Sequence, residues 1–102
     1  MTGTPAVVAL GESDNVVVAI RALAAGERVT LPGGQVLTVA DDVPFGHKLA
    51  LRPIAAGADV VKYDEVIGRA TAAIPAGGHV HVHNVVSARL PGALPTYDGA
   101  AR

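Results

Sequence analysis

Apolar positions along this chain come in short runs of strand character, set apart by glycine, proline and charged residues. Asn15 to Ile20 reads Asn-Val-Val-Val-Ala-Ile, a β-branched run bounded by polar residues, and predicts a buried strand. Arg28 to Leu31 and Gln35 to Val39 flank Pro32-Gly33-Gly34 and predict a hairpin with a glycine turn. Gly46 to Leu51, Val60 to Lys62 and His79 to Val85 predict further strands. Val66 to Ala70 predicts another, with Gly68 marking a bulge or a close backbone approach. Arg21 to Ala25 and Thr71 to Ala73 each have room for a single helical turn, too short to stand as helices. Residues 1–12 read as a flexible leader that includes the apolar patch from Ala6 to Leu10. Residues 13–89 read as one domain, and 90–102 as a tail rich in proline and glycine.

One local design recurs. Leu23-Ala24-Ala25-Gly26-Glu27-Arg28-Val29 resembles Ile54-Ala55-Ala56-Gly57-Ala58-Asp59-Val60, and both resemble Ile74-Pro75-Ala76-Gly77-Gly78-His79-Val80. The physical reading is a tight turn whose glycine takes φ > 0, feeding a strand that begins at the valine. Three copies at unequal spacing exclude a solenoid and predict one compact sheet that reuses a turn.

Candidate chemistry concentrates in His79-Val80-His81-Val82-His83-Asn84, which holds three of the four histidines. On a strand, this alternation puts valine on one face and imidazole on the other. Neutral imidazoles bind metals and move protons near neutral pH. Alternate residues lie roughly 6.5 to 7 Å apart along a strand. A straight strand therefore lets two of them converge on a cation but hardly three, and metal binding needs a ligand from elsewhere. The plainer alternative is a solvated polar face opposite a valine core face. Asn84 suits orienting an imidazole, binding a substrate hydroxyl or ending the strand in a turn. Gly46-His47-Lys48 places an imidazole and an ammonium after a glycine, a combination suited to an anionic ligand. Lys62-Tyr63-Asp64-Glu65 and Asp41-Asp42 read as charged turns. Arg69 and Arg89 are carboxylate clamps without a visible partner.

Composition narrows the class. A chain of 102 residues makes one domain, and half of its residues are hydrophobic, mostly alanine and valine. Only Phe45, Tyr63 and Tyr97 are aromatic, so the core is thin and suits a β structure completed by a partner. With 8 Lys and Arg against 9 Asp and Glu, net charge −1 and no basic patch, nucleic-acid binding is not expected. Cysteine is absent, which removes disulfides, thiolate nucleophiles and Cys-ligated clusters and is compatible with a cytoplasmic location. No apolar run reaches the roughly 18 residues of a membrane span, and the N-terminus lacks the basic region of a signal peptide. Neither a Ser/His/Asp order, a P-loop nor a dinucleotide fingerprint is present.

Gly46-His47-Lys48-Leu49-Ala50-Leu51, Ile54-Ala55-Ala56-Gly57, Val61-Lys62-Tyr63, Glu65-Val66-Ile67-Gly68-Arg69-Ala70-Thr71 and His79-Val80-His81-Val82-His83-Asn84-Val85 occur in that order. Together they resemble the SAF-type domain of altronate and galactarate dehydratases, which also occurs as the small subunit of sulfolactate sulfo-lyase. The combination is specific and covers about residues 13 to 89. One departure is Asp64, where the pattern of that family has glycine. The resemblance implies a mainly β fold, the β-clip, of short twisted strands with at most short helical turns. It also implies a small subunit of a two-subunit hydro-lyase or sulfo-lyase. Such an enzyme catalyses β-elimination from a sugar acid or hydroxy acid, with Fe(2+) or Mg(2+) and a large catalytic subunit as partner. A homo-oligomer is also compatible with it. On this reading His47, His81 and His83 are metal ligands or acid/base residues, and Lys48, Arg69 and Asn84 bind substrate. The alternative from another class is a non-catalytic ligand- or partner-binding module, as in sialic-acid synthases and in pilus or flagellar assembly proteins. A cupin-like metal enzyme would need a glutamate and a histidine after Asn84, and neither follows.

Overall fold

The computed structural model describes residues 6–87, which form nine short strands; among the described residues there is no helix. The strands are β1 (Val7–Val8), β2 (Val16–Ala19), β3 (Arg28–Thr30), β4 (Val36–Thr38), β5 (Lys48–Ala50), β6 (Asp59–Lys62), β7 (Glu65–Ala70), β8 (His79–Val80) and β9 (Val85–Ser87). They make a four-stranded sheet in the order β1-β2-β5-β8, a hairpin β3-β4 and a three-stranded sheet β6-β7-β9, with every pairing antiparallel.

The central sheet is apolar on both faces because its strands alternate between two cores. Val17, Ala19 and Leu49 join Val29, Leu31, Leu37 and Val39 of the β3-β4 hairpin. Val16, Ala50 and Val80 join Val60 and Ala70 of the β6-β7-β9 sheet. One small sheet therefore covers each face. Burying a valine or leucine in these cores contributes about 1.5–3 kcal/mol.

Four copies of one turn carry the design. The fourth, Val43-Pro44-Phe45-Gly46-His47-Lys48-Leu49, escapes the sequence pattern because Phe45 stands where the other copies have alanine. Gly26, Gly46, Gly57 and Gly77 have φ of 90°, 82°, 84° and 80°. Each sits at the third position of a β-turn, where positive φ demands glycine. Each glycine N–H donates to a strand-end carbonyl: Val39, Ala19, Ala70 and Ala50 respectively. The N–H of each of those residues donates back to the residue after the glycine. The turns are joined in two pairs by the bridges Leu23↔Val43 and Ile54↔Ile74. The second pair repeats the first at a constant offset, Leu23 to Ile54 and Val43 to Ile74, so the domain is two similar halves around the central sheet. The strands after the turns begin at Arg28, Lys48, Asp59 and His79, one residue before the apolar position that the pattern marks.

Other expectations also change. Val7–Val8, within the stretch read as a leader, is an edge strand on β2, with Ala6 and Val7 buried. The segments Arg21 to Ala25 and Thr71 to Ala73 are bends and bridges, not helical turns, because the repeated β-turn claims them. Gly68 meets both readings offered for it: the β6-β7 register shifts between Val60 and Val61, and a Cβ at Gly68 would collide with the carbonyl of Val86. The tail and Arg89 lie outside the described residues.

At Asp64, φ is 60°, and Tyr63 before it has φ 58°. The two residues form the β6-β7 hairpin turn, in the region that favours glycine. The carboxylate of Asp64 accepts hydrogen bonds from the N–H and hydroxyl of Ser13, both at 2.7 Å. Buried Asp14 accepts from the N–H groups of Gly11, Tyr63 and Asp64. Burial alone would raise its pKa, but those three donors and the charge of Lys62 hold it below the ordinary value.

Candidate metal centre

The β5-β8 ladder positions the imidazoles. Lys48 faces Val80 and Leu49 faces His79, so the same register continued one step sets His47 opposite His81. Their rings stack with centroids 3.9 Å apart. The chain then leaves the ladder. The strand expected over His79 to Val85 is broken by a turn at His81 to Asn84, and the ladder resumes elsewhere as β9. Asn84 makes this turn: its Oδ1 accepts from the His81 N–H at 3.0 Å and its Nδ2 donates to the His79 carbonyl at 2.8 Å. The Asn84 carbonyl accepts from the N–H of Thr71, which ties the turn to the end of β7. Asp41 accepts the His79 N–H at 3.0 Å.

The expected rack of three imidazoles opposite three valines is therefore replaced by a curled segment. Val80 is fully buried, whereas Val82 is 82% exposed. The curl carries His83 out of the set, and two imidazoles of this segment, His79 and His81, meet His47 from the neighbouring strand, the two-plus-one arrangement that strand geometry allows. One ring nitrogen from each of His47, His79 and His81 lies within 4.8 Å of the others, and His47 Nδ1 and His79 Nε2 are 2.9 Å apart. Two nitrogens bound to one cation at about 2.1 Å stand roughly 3.0–3.4 Å apart. The 2.9 Å contact is a hydrogen bond whose direction depends on the tautomer, and it is close to that spacing, while the three nitrogens as a set reach 4.8 Å. Three neutral nitrogens with open positions suit iron(II) or a similar borderline cation, whereas magnesium takes oxygen ligands. The donor set thus fits the first of the two expected metals and not the second.

Charge supports the ligand form. Burial lowers the pKa of His79, and the neighbouring His83, His47 and His81 lower it further, partly offset by Asp41. Burial, His47, Lys48 and His83 lower that of His81. Both shifts favour the neutral ring, the form that binds a cation.

The remaining candidates take distinct places. His83 is exposed, lies outside the three-nitrogen set and tilts against His79 at 5.0 Å. Lys48 is half-buried opposite Val80, on the strand face that belongs to the second core. Burial and the charge of Lys62 lower its pKa. Arg69 is exposed on β7 across from Asp59 and Val86, and no hydrogen bond or ion pair joins it to the imidazoles among the described residues. Both ends of the Asn84 amide are engaged by backbone. The sequence reading left His79 out of the ligand set. The missed fourth turn was the signal, since it makes Gly46-His47-Lys48 and Gly77-Gly78-His79 equivalent turns whose strands pair.

The family model of the altronate/galactarate dehydratase SAF domain matches residues 5–88. The chain belongs to this family. Over 71 residues it is 52% identical to altronate dehydratase of Escherichia coli K12, a match covering 70% of this chain and 14% of that enzyme. Over 53 residues it is 47% identical to (2R)-sulfolactate sulfo-lyase subunit alpha of Paracoccus pantotrophus, covering 52% of this chain and 79% of that subunit. It is also 37% identical over 98 residues to galactarate dehydratase (L-threo-forming) of E. coli K12, covering 94% of this chain and 17% of that enzyme. This SAF-domain chain therefore spans a small part of the dehydratases and most of the sulfo-lyase subunit, and it is lyase-related through all of them.

Proposed function

We propose that the chain is the small subunit of a two-subunit lyase that eliminates water or a sulfur oxyanion from a hydroxy acid or sugar acid. It supplies an imidazole wall to a site completed by a large catalytic chain. The observation that carries this reading is the convergence of His47, His79 and His81 on one point at an open edge of the sheet.

These three residues would hold a divalent cation of the iron(II) type. Bound there, the cation would act as a Lewis acid toward substrate oxygens, stabilising the negative charge that develops when the proton α to the carboxylate leaves. The chain's own residues do the rest of its share. Asn84 and Asp41 fix the backbone on either side of the cluster, so the rings are positioned before substrate arrives. His83, exposed and outside the three-nitrogen set, would exchange a proton with the leaving group or with solvent. Lys48 lies on the opposite strand face and would favour a carboxylate-bearing substrate only through the charge that His81 feels.

The test is reconstitution. The chain is mixed anaerobically with the large lyase chain of its source organism, iron(II) and a panel of altronate, galactarate and sulfolactate. Turnover that needs both chains is expected, falling about 100-fold or more for His47→Ala or His79→Ala. A formed complex inactive on the whole panel contradicts the proposal. Variants that stay active but no longer assemble support the binding-module alternative.

A further inference from the structure

The four equivalent turns offer an internal comparison. A Cβ at Gly26, Gly46 or Gly57 would meet nothing within 4 Å, but one at Gly77 would collide with the Thr38 carbonyl oxygen. The turn that leads into His79 is therefore the one pressed against a neighbouring segment, the exit of β4. Two hydrogen bonds lock the contact. The Ala40 N–H donates to the Gly77 carbonyl at 2.9 Å, and the His79 N–H donates to Oδ2 of Asp41 at 3.0 Å. Because β8 is an edge strand, this N–H meets Asp41 and not a further strand. The adjacent Asp42 serves another turn, where its Oδ1 accepts from the Ala25 N–H at 3.0 Å. At the equivalent positions of the second half stand Ala72 and Ala73, so the plan of the fold does not require carboxylates there.

The His79 ring shows which of its nitrogens is committed. Its far nitrogen, Nε2, lies 2.9 Å from Nδ1 of His47. Its other nitrogen, Nδ1, is covalently nearer the backbone, where the Asp41 carboxylate is anchored. The second oxygen of that carboxylate, Oδ1, has no hydrogen-bond partner among the described residues. The ring also feels the carboxylate, since Asp41 is the one group that acts to raise the His79 pKa. A neutral imidazole carries a single proton, and the partner at each nitrogen decides where it sits. A carboxylate only accepts, so it holds the proton on Nδ1 and leaves Nε2 as a lone pair.

Resting on the metal reading above, we propose that Asp41 is a positioning residue whose second carboxylate oxygen accepts the Nδ1–H of His79, fixing the tautomer that turns an Nε2 lone pair into the cluster. The contact between His47 and His79 then has a direction, from His47 Nδ1–H to His79 Nε2. The first half of the domain thereby orients a ligand carried by the second. The opposite tautomer would present an N–H to the cation and would have to move its proton before binding.

Asp41→Asn separates this role from support of the backbone. Its amide oxygen can keep the His79 N–H, but its NH2 then faces the ring as a donor and favours the proton on Nε2. Long-range proton–nitrogen NMR correlations of the metal-free chain at about pH 8, where imidazoles are neutral, read the tautomer directly. Wild type should carry the His79 proton on Nδ1, and Asp41→Asn should move it to Nε2. Anaerobic iron(II) titration should show affinity lowered about 10- to 100-fold in Asp41→Asn and in Asp41→Ala. The unfolding midpoint of Asp41→Asn should match wild type. Asp42→Asn, beside the first turn, is the control and should change neither tautomer nor affinity. A wild-type His79 proton on Nε2, or one tautomer shared by wild type and Asp41→Asn, overturns the proposal. Affinity lost in Asp41→Ala but kept in Asp41→Asn assigns Asp41 to the backbone alone and overturns it too. A wild-type chain that binds no iron(II) overturns the metal reading, and the spectra still decide whether Asp41 sets the tautomer.

Discussion

A single asparagine decides how the histidines are used. Asn84 holds the carbonyl of His79 and the N–H of His81, and so converts an alternating string into a curl. The residue types of the site were legible in the sequence, because Gly46-His47-Lys48 and His79 to Asn84 announce themselves. Which imidazoles meet was not, since alternation describes a straight strand, although the strand-ending turn offered for Asn84 is the reading that its local hydrogen bonds fulfil. Replacing Asn84 with alanine should lower iron(II) affinity about 10- to 100-fold without removing a ligand, as lost positioning does at metal sites. Calorimetric titration checks it. Protonation gives a second prediction. The fold keeps His79 and His81 neutral below the ordinary imidazole pKa of 6.5. As pH falls below about 6.5, the unfolded chain therefore binds more protons than the folded one, and stability drops through that window while staying flat above it. Urea unfolding of the metal-free chain from about pH 7.5 to 5 should show that slope. His79→Ala should flatten it, and an equal slope in the variant would contradict the assignment.

At the scale of elements, the turns set where strands begin and which of them pair. Three of the four were readable as a repeat, with glycine at positive φ as expected. The fourth was hidden by Phe45, and with it the two-half plan of the domain. The strands themselves were legible from β-branched runs, but their order was not. Val7–Val8 joins the central sheet although nothing in its short run tells it from a leader. Glycine substitutions separate the two demands made on these elements. Gly57 has open space around it, so Gly57→Ala should cost only its left-handed backbone strain, about 1 kcal/mol. Gly68→Ala meets the Val86 carbonyl and must push β9 away from β7, at about 3 kcal/mol. Because β9 continues from the histidine turn, Gly68→Ala should also weaken iron(II) binding, whereas Gly57→Ala should not. Denaturant unfolding and metal titration on both variants check this. The Asp14 staple is the third such element: Asp14→Ala strands the N–H groups of Tyr63 and Asp64 and should cost about 2–4 kcal/mol.

For the whole molecule, a thin valine and alanine core is split between two faces of one short-stranded sheet, and the imidazoles sit where that sheet ends. The family resemblance was legible because its motifs mark this edge. The proposed division of labour with a large chain would be a property of an assembly, which one sequence does not spell out. The central claim is that His47, His79 and His81 share one cation while His83 does not. Anaerobic iron(II) titration of the chain and its four single histidine-to-alanine variants tests it most directly. One equivalent should bind wild type and His83→Ala alike, with affinity reduced about 100-fold or more in each of the other three. Loss of affinity in His83→Ala together with full retention in His79→Ala would contradict it.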